Sequence, residues 1–282
     1  MAENKPYKCV NCGEASAALY KTYGPSVLKL TKCVKCNRIV DKYVEYDPVI
    51  VMIDLVLISK EAQRHVLYNT EFKAYWKLFI ILIMIETYGL WRSDSLFNIV
   101  VNTACGIQTN DTTLNITHLP SSLQWEAPQW WQRQCSGWRP AQGARDEGDL
   151  FIWEKHFYIQ FISTFAGVTA FILTVHFAMK MLKPFISQNE THFLSLLKAF
   201  SLANVSILLT LPMLVWGSDP VAETKAFHYG LVFVYSFAVH LSTFIVLYGC
   251  PMIITVLVLT ASNCMKFLTT HHASPLIRDL LQ

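Results

Sequence analysis

Four stretches of the chain are too long and too apolar for water to solvate: residues 157–182, 193–216, 227–249 and 250–268. A bilayer core needs roughly 20 consecutive apolar residues in helical form. Inside it no backbone N–H or C=O can stay unpaired, so such segments fold as helices. A further stretch, 74–92, has no polar residue from Leu78 to Ile85 and is bracketed by Trp76, Tyr88 and Trp91, as an aromatic belt would be. Glu86 is its one awkward residue. Gly249, Cys250 and Pro251 interrupt the last two stretches, so 250–268 reads as either a fifth span or a re-entrant helix. Charged residues make up only 15% of the chain, against about 25% for a soluble domain. A formal charge of +3 gives no argument for nucleic acid as a partner.

The N-terminal 46 residues differ in kind. They are polar and lysine-rich, with no apolar h-region, so the first hydrophobic helix is expected to act as the insertion signal and the N-terminus to stay in the cytosol. Cys9-Val10-Asn11-Cys12 and Cys33-Val34-Lys35-Cys36 form a C-x2-C, x20, C-x2-C pattern. Each C-x2-C turn brings two thiolates onto one metal, and two turns complete the tetrahedral shell of a structural zinc. Lys8, Lys32 and Lys35 would offset the negative charge, and Gly13 suits a left-handed turn. Ala18-Leu19-Tyr20 and Val27-Leu28-Lys29-Leu30 read as short strands around Gly24-Pro25. The predicted fold class is therefore an α-helical polytopic membrane protein with a small N-terminal zinc ribbon and four to five transmembrane helices. One structural zinc is the expected cofactor; two redox-active C-x2-C pairs are the competing reading.

Residues 47–73 should be a linker or interfacial helix. Val49 to Ile58 is too short to span, Pro48 fits a first helical turn, and Asp47 fits its N-cap. Gln63, Arg64 and His65 would face headgroups or the ribbon. Residues 1–73 hold eleven Lys and Arg, whereas 93–150 hold three, which places the ribbon side in the cytosol and the 93–150 loop in the lumen. That loop carries the sequons at Asn110 and Asn115, candidate glycosylation sites, and Cys105 and Cys135, a candidate disulfide. Lys180 and Lys183 agree with a return to the cytosol. The sequon at Asn204 lies inside a span and reads as chance, and that at Asn189 should be unused.

Glu86, His176 and His240 fall inside spans, where ionisable groups are costly and mark functional sites or buried seams. His271-His272 reads as a solvated pair. No G-x-S-x-G, phosphate loop or H-E-x-x-H motif occurs, and no catalytic set stands out.

The ribbon, followed by Asp41-Lys42-Tyr43-Val44-Glu45-Tyr46-Asp47-Pro48-Val49-Ile50 and then by Gln63-Arg64-His65-Val66-Leu67-Tyr68-Asn69-Thr70, resembles the Arv family ("ACAT-related protein required for viability") over roughly residues 7–92. The resemblance implies an endoplasmic reticulum membrane protein; with no catalytic set in the sequence, an enzyme is not expected. The resemblance implies roles in sterol transport, sphingolipid homeostasis and early glycosylphosphatidylinositol (GPI) anchor synthesis. It also implies that the four cysteines, Tyr46, Asp47, Pro48, Arg64, His65 and Asn69 form a homology domain. The expected partners are membrane lipids and, on a scaffold reading, a lipid-synthesis enzyme complex. Transport mediator and scaffold both remain open at this point, with a membrane-embedded enzyme using Glu86 and the intramembrane histidines as a third class.

Overall fold

The structure is a computed structural model that describes residues 7–24, 27–92, 95–104, 150–183, 192–216 and 222–280. The candidate sequons at Asn110 and Asn115, and Cys105 and Cys135, lie outside the described residues, as does Asn189.

Two C-x2-C turns organise the N-terminal unit, and they are built alike. Strand β1 (Tyr7–Lys8) leads into the first turn and pairs antiparallel with β2 (Ala15–Ser16). Strands β3 (Tyr20–Gly24) and β4 (Val27–Leu30) form a hairpin that leads into the second. In the first turn Gly13 N donates to Cys9 O at 2.8 Å; in the second, Asn37 N donates to Cys33 O at 3.0 Å. The donor residues take positive φ, +78° at Gly13 and +56° at Asn37, a region open to glycine and tolerated by asparagine. Cys9, Leu19, Cys33 and Val40 make up a core of four buried residues, too small to fold unaided.

Asp47 caps helix α1 (Pro48–Val56): its carboxylate accepts from Val49 N at 2.8 Å, with Pro48 at the first helical position. The Tyr46-Asp47-Pro48 run is thus a helix-start signal, and Tyr46 packs edge-on to Tyr43. Ile58 then reverses the chain at φ +59°, an uncommon angle for a β-branched residue. Ser59 caps α2 (Lys60–Arg64), which runs into a π turn, His65–Asn69.

The bundle follows. Helix α3 (Tyr75–Trp91) has 17 residues, a length of about 26 Å against a bilayer core of about 30 Å. Helix α4 (Leu96–Ala104) follows it. Helices α5 (Leu150–Leu182) and α6 (Phe193–Ala203) come next; a 3-10 segment, Asn204–Thr210, joins α6 to α7 (Leu211–Trp216). Helices α8 (Ala222–Tyr248) and α9 (Met252–Leu280) complete it. Among the described residues four segments are long and apolar enough to cross a membrane: Glu154–Leu182, Phe193–Thr210, Lys225–Tyr248 and Met252–Leu280. Their large exposed side chains, among them Phe165, Phe177, Leu231, Val234, Ile253 and Leu257, are what a lipid solvent requires.

The sequence reading changes at several points, the first being a helix, α4, inside the stretch 93–150 read as a loop. The 193–216 segment is not one regular helix. Ser206 Oγ and Thr210 Oγ1 donate to the carbonyls of Ala203 and Ile207 three residues back, and Pro212 supplies no N–H, so the ladder tightens to 3-10. The region after Pro251 is a single helix of 29 residues with no reversal within it. Gly249, at φ +69° and bonded through its N–H to Ile245 O at 2.8 Å, ends α8 as a glycine C-cap and allows the tight turn. His271-His272 is not a solvated pair: that longer helix carries His271 into the interior, 3% exposed, while His272 faces out.

The main core gathers Ile83, Val168, Phe171, Val175, Leu196, Phe200, Phe244, Leu247 and Leu259 from five elements. The broadest helix contact is between α5 and α9. It is close because Gly167 has no side chain: a Cβ there would lie 2.2 Å from Thr270 Oγ1 and 3.0 Å from Lys266 O.

Candidate metal centre and its seat on the bundle

The Sγ atoms of Cys9, Cys12, Cys33 and Cys36 all lie within 4.8 Å of one another. Cys9 Sγ is 3.7 Å from Cys36 Sγ, and Cys12 Sγ is 3.6 Å from Cys33 Sγ. Four sulfurs placed tetrahedrally on 2.3 Å bonds stand about 3.8 Å apart. A disulfide needs about 2.05 Å, and the short separations run between the two turns, not within a C-x2-C pair. The donor set therefore fits a tetrahedral metal ion, and all four candidate ligands converge.

The thiols ionise unequally. Main-chain N–H groups of Cys36 and Lys35 point at the Cys33 sulfur and lower its pKa to about 7. Burial pushes the Cys12 thiol up to about 12, and the neighbouring sulfurs add to the rise. A bound dication would reverse that penalty, because thiolates are the ligands and metal binding releases their protons. Lys35 is held by Glu14 at 3.0 Å. Lys8 Nζ lies 4.0 Å over the Tyr68 ring; burial, and then nearby Arg64, lower its pKa.

The ribbon is bonded into the membrane unit through the residues singled out in the linker. Arg64 Nη1 donates to Val10 O at 2.7 Å and to Asn11 O at 2.8 Å, so one guanidinium caps the first metal turn. Asn69 meets Lys8 as a paired strand would. Its Oδ1 accepts from Lys8 N at 2.9 Å and its Nδ2 donates to Lys8 O at 2.9 Å. Asp41, fully buried, draws the rest together. Its Oδ2 accepts from His65 Nδ1 at 2.7 Å and from Asn69 Nδ2 at 2.6 Å, and its Oδ1 accepts from Tyr43 N at 3.0 Å. The sequence reading did not single out Asp41; its place just after the second C-x2-C turn was the available signal.

Below this seat, Gln63 turns away from the ribbon. It is 1% exposed, and its Oε1 accepts from Ser242 Oγ on α8 at 2.9 Å. Tyr68 Oη donates to Val246 O and Leu247 O at 3.4 and 3.3 Å. Tyr235 Oη donates to Val56 O at 2.7 Å. Ribbon, linker and α8 thus form one bonded unit.

The intramembrane ionisable residues are separate from the metal centre. Glu86 pairs with Lys266 of α9. His240 Nδ1 donates to Ser236 O at 2.8 Å, and the His176 ring meets Phe193 edge-on. Asn204 is 6% exposed, in keeping with an unused sequon.

A sequence profile of the Arv1-like family matches residues 8–241. The human protein named Protein ARV1 is 28% identical over 213 residues, 76% of this chain and 63% of that protein. A Candida albicans Protein ARV1 is 29% identical over 127 residues, 33% of this chain and 43% of that protein. An Arabidopsis thaliana Protein ARV 2 is 36% identical over 87 residues, 28% of this chain and 38% of that protein. The chain thus spans less than two thirds of the human protein it matches. No solved structure matches it. With a match that runs from the residue before the first cysteine far into α8, the chain belongs to the Arv1-like family.

Proposed function

We propose that this protein mediates lipid movement at the endoplasmic reticulum membrane, with sterol, sphingolipid or a GPI precursor as cargo. Its ribbon sits on the cytosolic face and holds one structural zinc through Cys9, Cys12, Cys33 and Cys36. The ion would cross-link the two turns; its closed shell of four thiolates leaves no position for a substrate, and the protein acts without catalysis. The resemblance to the Arv family supplies the lipid class. The observation that carries the reading is the bonded seat of the ribbon: Asp41, Arg64 and Asn69 fix it to the linker, and Tyr68 and Gln63 fix the linker to α8. A ribbon held this way is part of a membrane machine. Helix α3 is read as a fifth span, slightly short for the bilayer. Helix α1 leaves Val49, Met52, Ile53 and Val56 exposed, an apolar face suited to the lipid interface.

The test is movement of a labelled sterol and of a glucosaminyl-phosphatidylinositol analogue in liposomes holding the full chain. Movement of either above empty liposomes supports the reading, and movement of neither, with zinc bound, refutes it. A second reading, a scaffold for a GPI-anchor or lipid-synthesis enzyme complex, is favoured by apolar side chains that the ribbon leaves exposed. Tyr23, Leu28 and Val34 are exposed, Val34 almost wholly so. Co-purification of such an enzyme, lost in Cys33→Ser, is the expected sign of it.

A further inference from the structure

Between α3, α4, the 3-10 segment, α8 and α9 lies a cavity of about 150 Å³, some ten times what one water needs on the same measure. Its walls are mostly apolar, with Phe171, Phe200, Phe233, Phe237 and Phe267 among them. Into this apolar space the chain places Glu86, Lys266, Asn204 and His240. Lys266 lies in the Met252–Leu280 segment and Asn204 in the Phe193–Thr210 segment, both long and apolar enough to cross a membrane, and polar groups inside such segments are expensive.

Two of their atoms find no hydrogen-bond partner among the described residues. Glu86 Oε1 pairs with Lys266, but Oε2 is buried and unmatched. Asn204, itself 94% buried, leaves Nδ2 unmatched. Buried polar atoms are nearly always satisfied, and each exception calls for an explanation. Here one orphan is an acceptor and the other a donor. A tertiary clamp between α3 and α9 accounts for the ion pair but not for the Asn204 donor. The carboxylate and the ammonium already cancel in charge, so a second net charge in the cavity would go uncompensated.

We propose that this cavity is a lipid site that takes the head of an uncharged, hydroxyl-bearing lipid. The hydroxyl donates to Glu86 Oε2, and the same oxygen or a neighbouring carbonyl accepts from Asn204 Nδ2. The apolar walls hold the first part of the apolar body. A sterol, a diacylglycerol and a ceramide share this chemistry. The inference deepens the lipid-movement reading by giving it a site.

The experiment uses the full chain in phosphatidylcholine nanodiscs with photoactivatable sterol, diacylglycerol and ceramide probes, and maps the labelled peptides by mass spectrometry. The expected result is saturable labelling of peptides containing Glu86, Asn204 or Lys266 by at least one probe, and the arm that labels names the source. Unlabelled lipid of that class should compete and phosphatidylserine should not. Asn204→Leu should cut labelling about threefold to tenfold, the range for one hydrogen bond, and Ile207→Trp, which fills the cavity, should abolish it. Labelling spread over the outer helix faces, equal competition by phosphatidylserine, or unchanged labelling in folded Asn204→Leu would overturn the proposal. If both variants fail to fold, the position of the label in the unmodified chain still decides. Lipid movement without cavity labelling would sink the site and leave the transport reading standing. Labelling without movement would do the reverse.

Discussion

At the scale of single residues, Asp41 is the test of whether ribbon and bundle are one unit. Asp41→Ala would take the acceptor from His65 Nδ1 and Tyr43 N and leave Asn69 Nδ2 with its bond to Lys8 O alone, at a cost of ~1–3 kcal/mol for each donor left unmatched. The four-cysteine cluster itself is untouched. The expected outcome is full metal content with new protease cleavage between residues 37 and 47, read by mass spectrometry; an unchanged cleavage pattern would count against the bonded seat. Cys9→Ser acts the other way. Three ligands hold the metal less well and the four-residue core cannot stand alone, so zinc should fall well below one per chain and the ribbon amides should lose hydrogen-exchange protection. The pH dependence has a definite sign. Binding converts thiols to thiolates, so protons compete with zinc: the metal is retained at neutral and higher pH and lost on acidification. Zinc release followed by a colorimetric chelator from pH 8 to pH 5 checks this.

At the scale of elements, the α5–α9 contact depends on one missing side chain. Gly167→Ala would drive a methyl group into Thr270 Oγ1 and against Lys266 O. Overpacking of this kind costs ~1–3 kcal/mol. Adding Thr270→Ala should restore part of the loss, since only the 3.0 Å approach to Lys266 O then remains; thermal unfolding in detergent reads both. The elements also show where sequence reasoning has its reach. The four cysteines, the Asp47 cap with Pro48, and the spans are legible because each is a local pattern: a spacing, a helix start, a run of apolar residues. Asp41, the Gln63–Ser242 bond and the Glu86–Lys266 pair are not, because each joins positions far apart in the chain, and hydropathy reads them only as stray polar groups. The 3-10 segment at Asn204 escaped for another reason: Ser206, Thr210 and Pro212 are unremarkable in a membrane helix until their hydrogen bonds are seen. Helix α4 lay hidden in what reads as a polar loop, though Phe97 stacks on Phe267 of α9 at 5.4 Å.

At the scale of the whole molecule, the metal ribbon, the linker and the spanning helices form a continuous chain of bonded contacts. The four cysteines converge within the ribbon, Asp41 and Arg64 hold the ribbon to the linker, and Tyr68 and Gln63 hold the linker to α8. On this reading the ribbon sets the position of α8, and α8 carries Ser236 and His240 to the wall of the cavity. The most direct measurement is therefore lipid movement in liposomes by the unmodified chain and by Asp41→Ala at equal zinc content. The expected result is movement of at least one of the two labelled lipids by the unmodified chain, reduced severalfold in Asp41→Ala. Movement of neither lipid by zinc-loaded protein, or equal movement by both proteins, would contradict the claim that a docked ribbon and a lipid-moving bundle are one device.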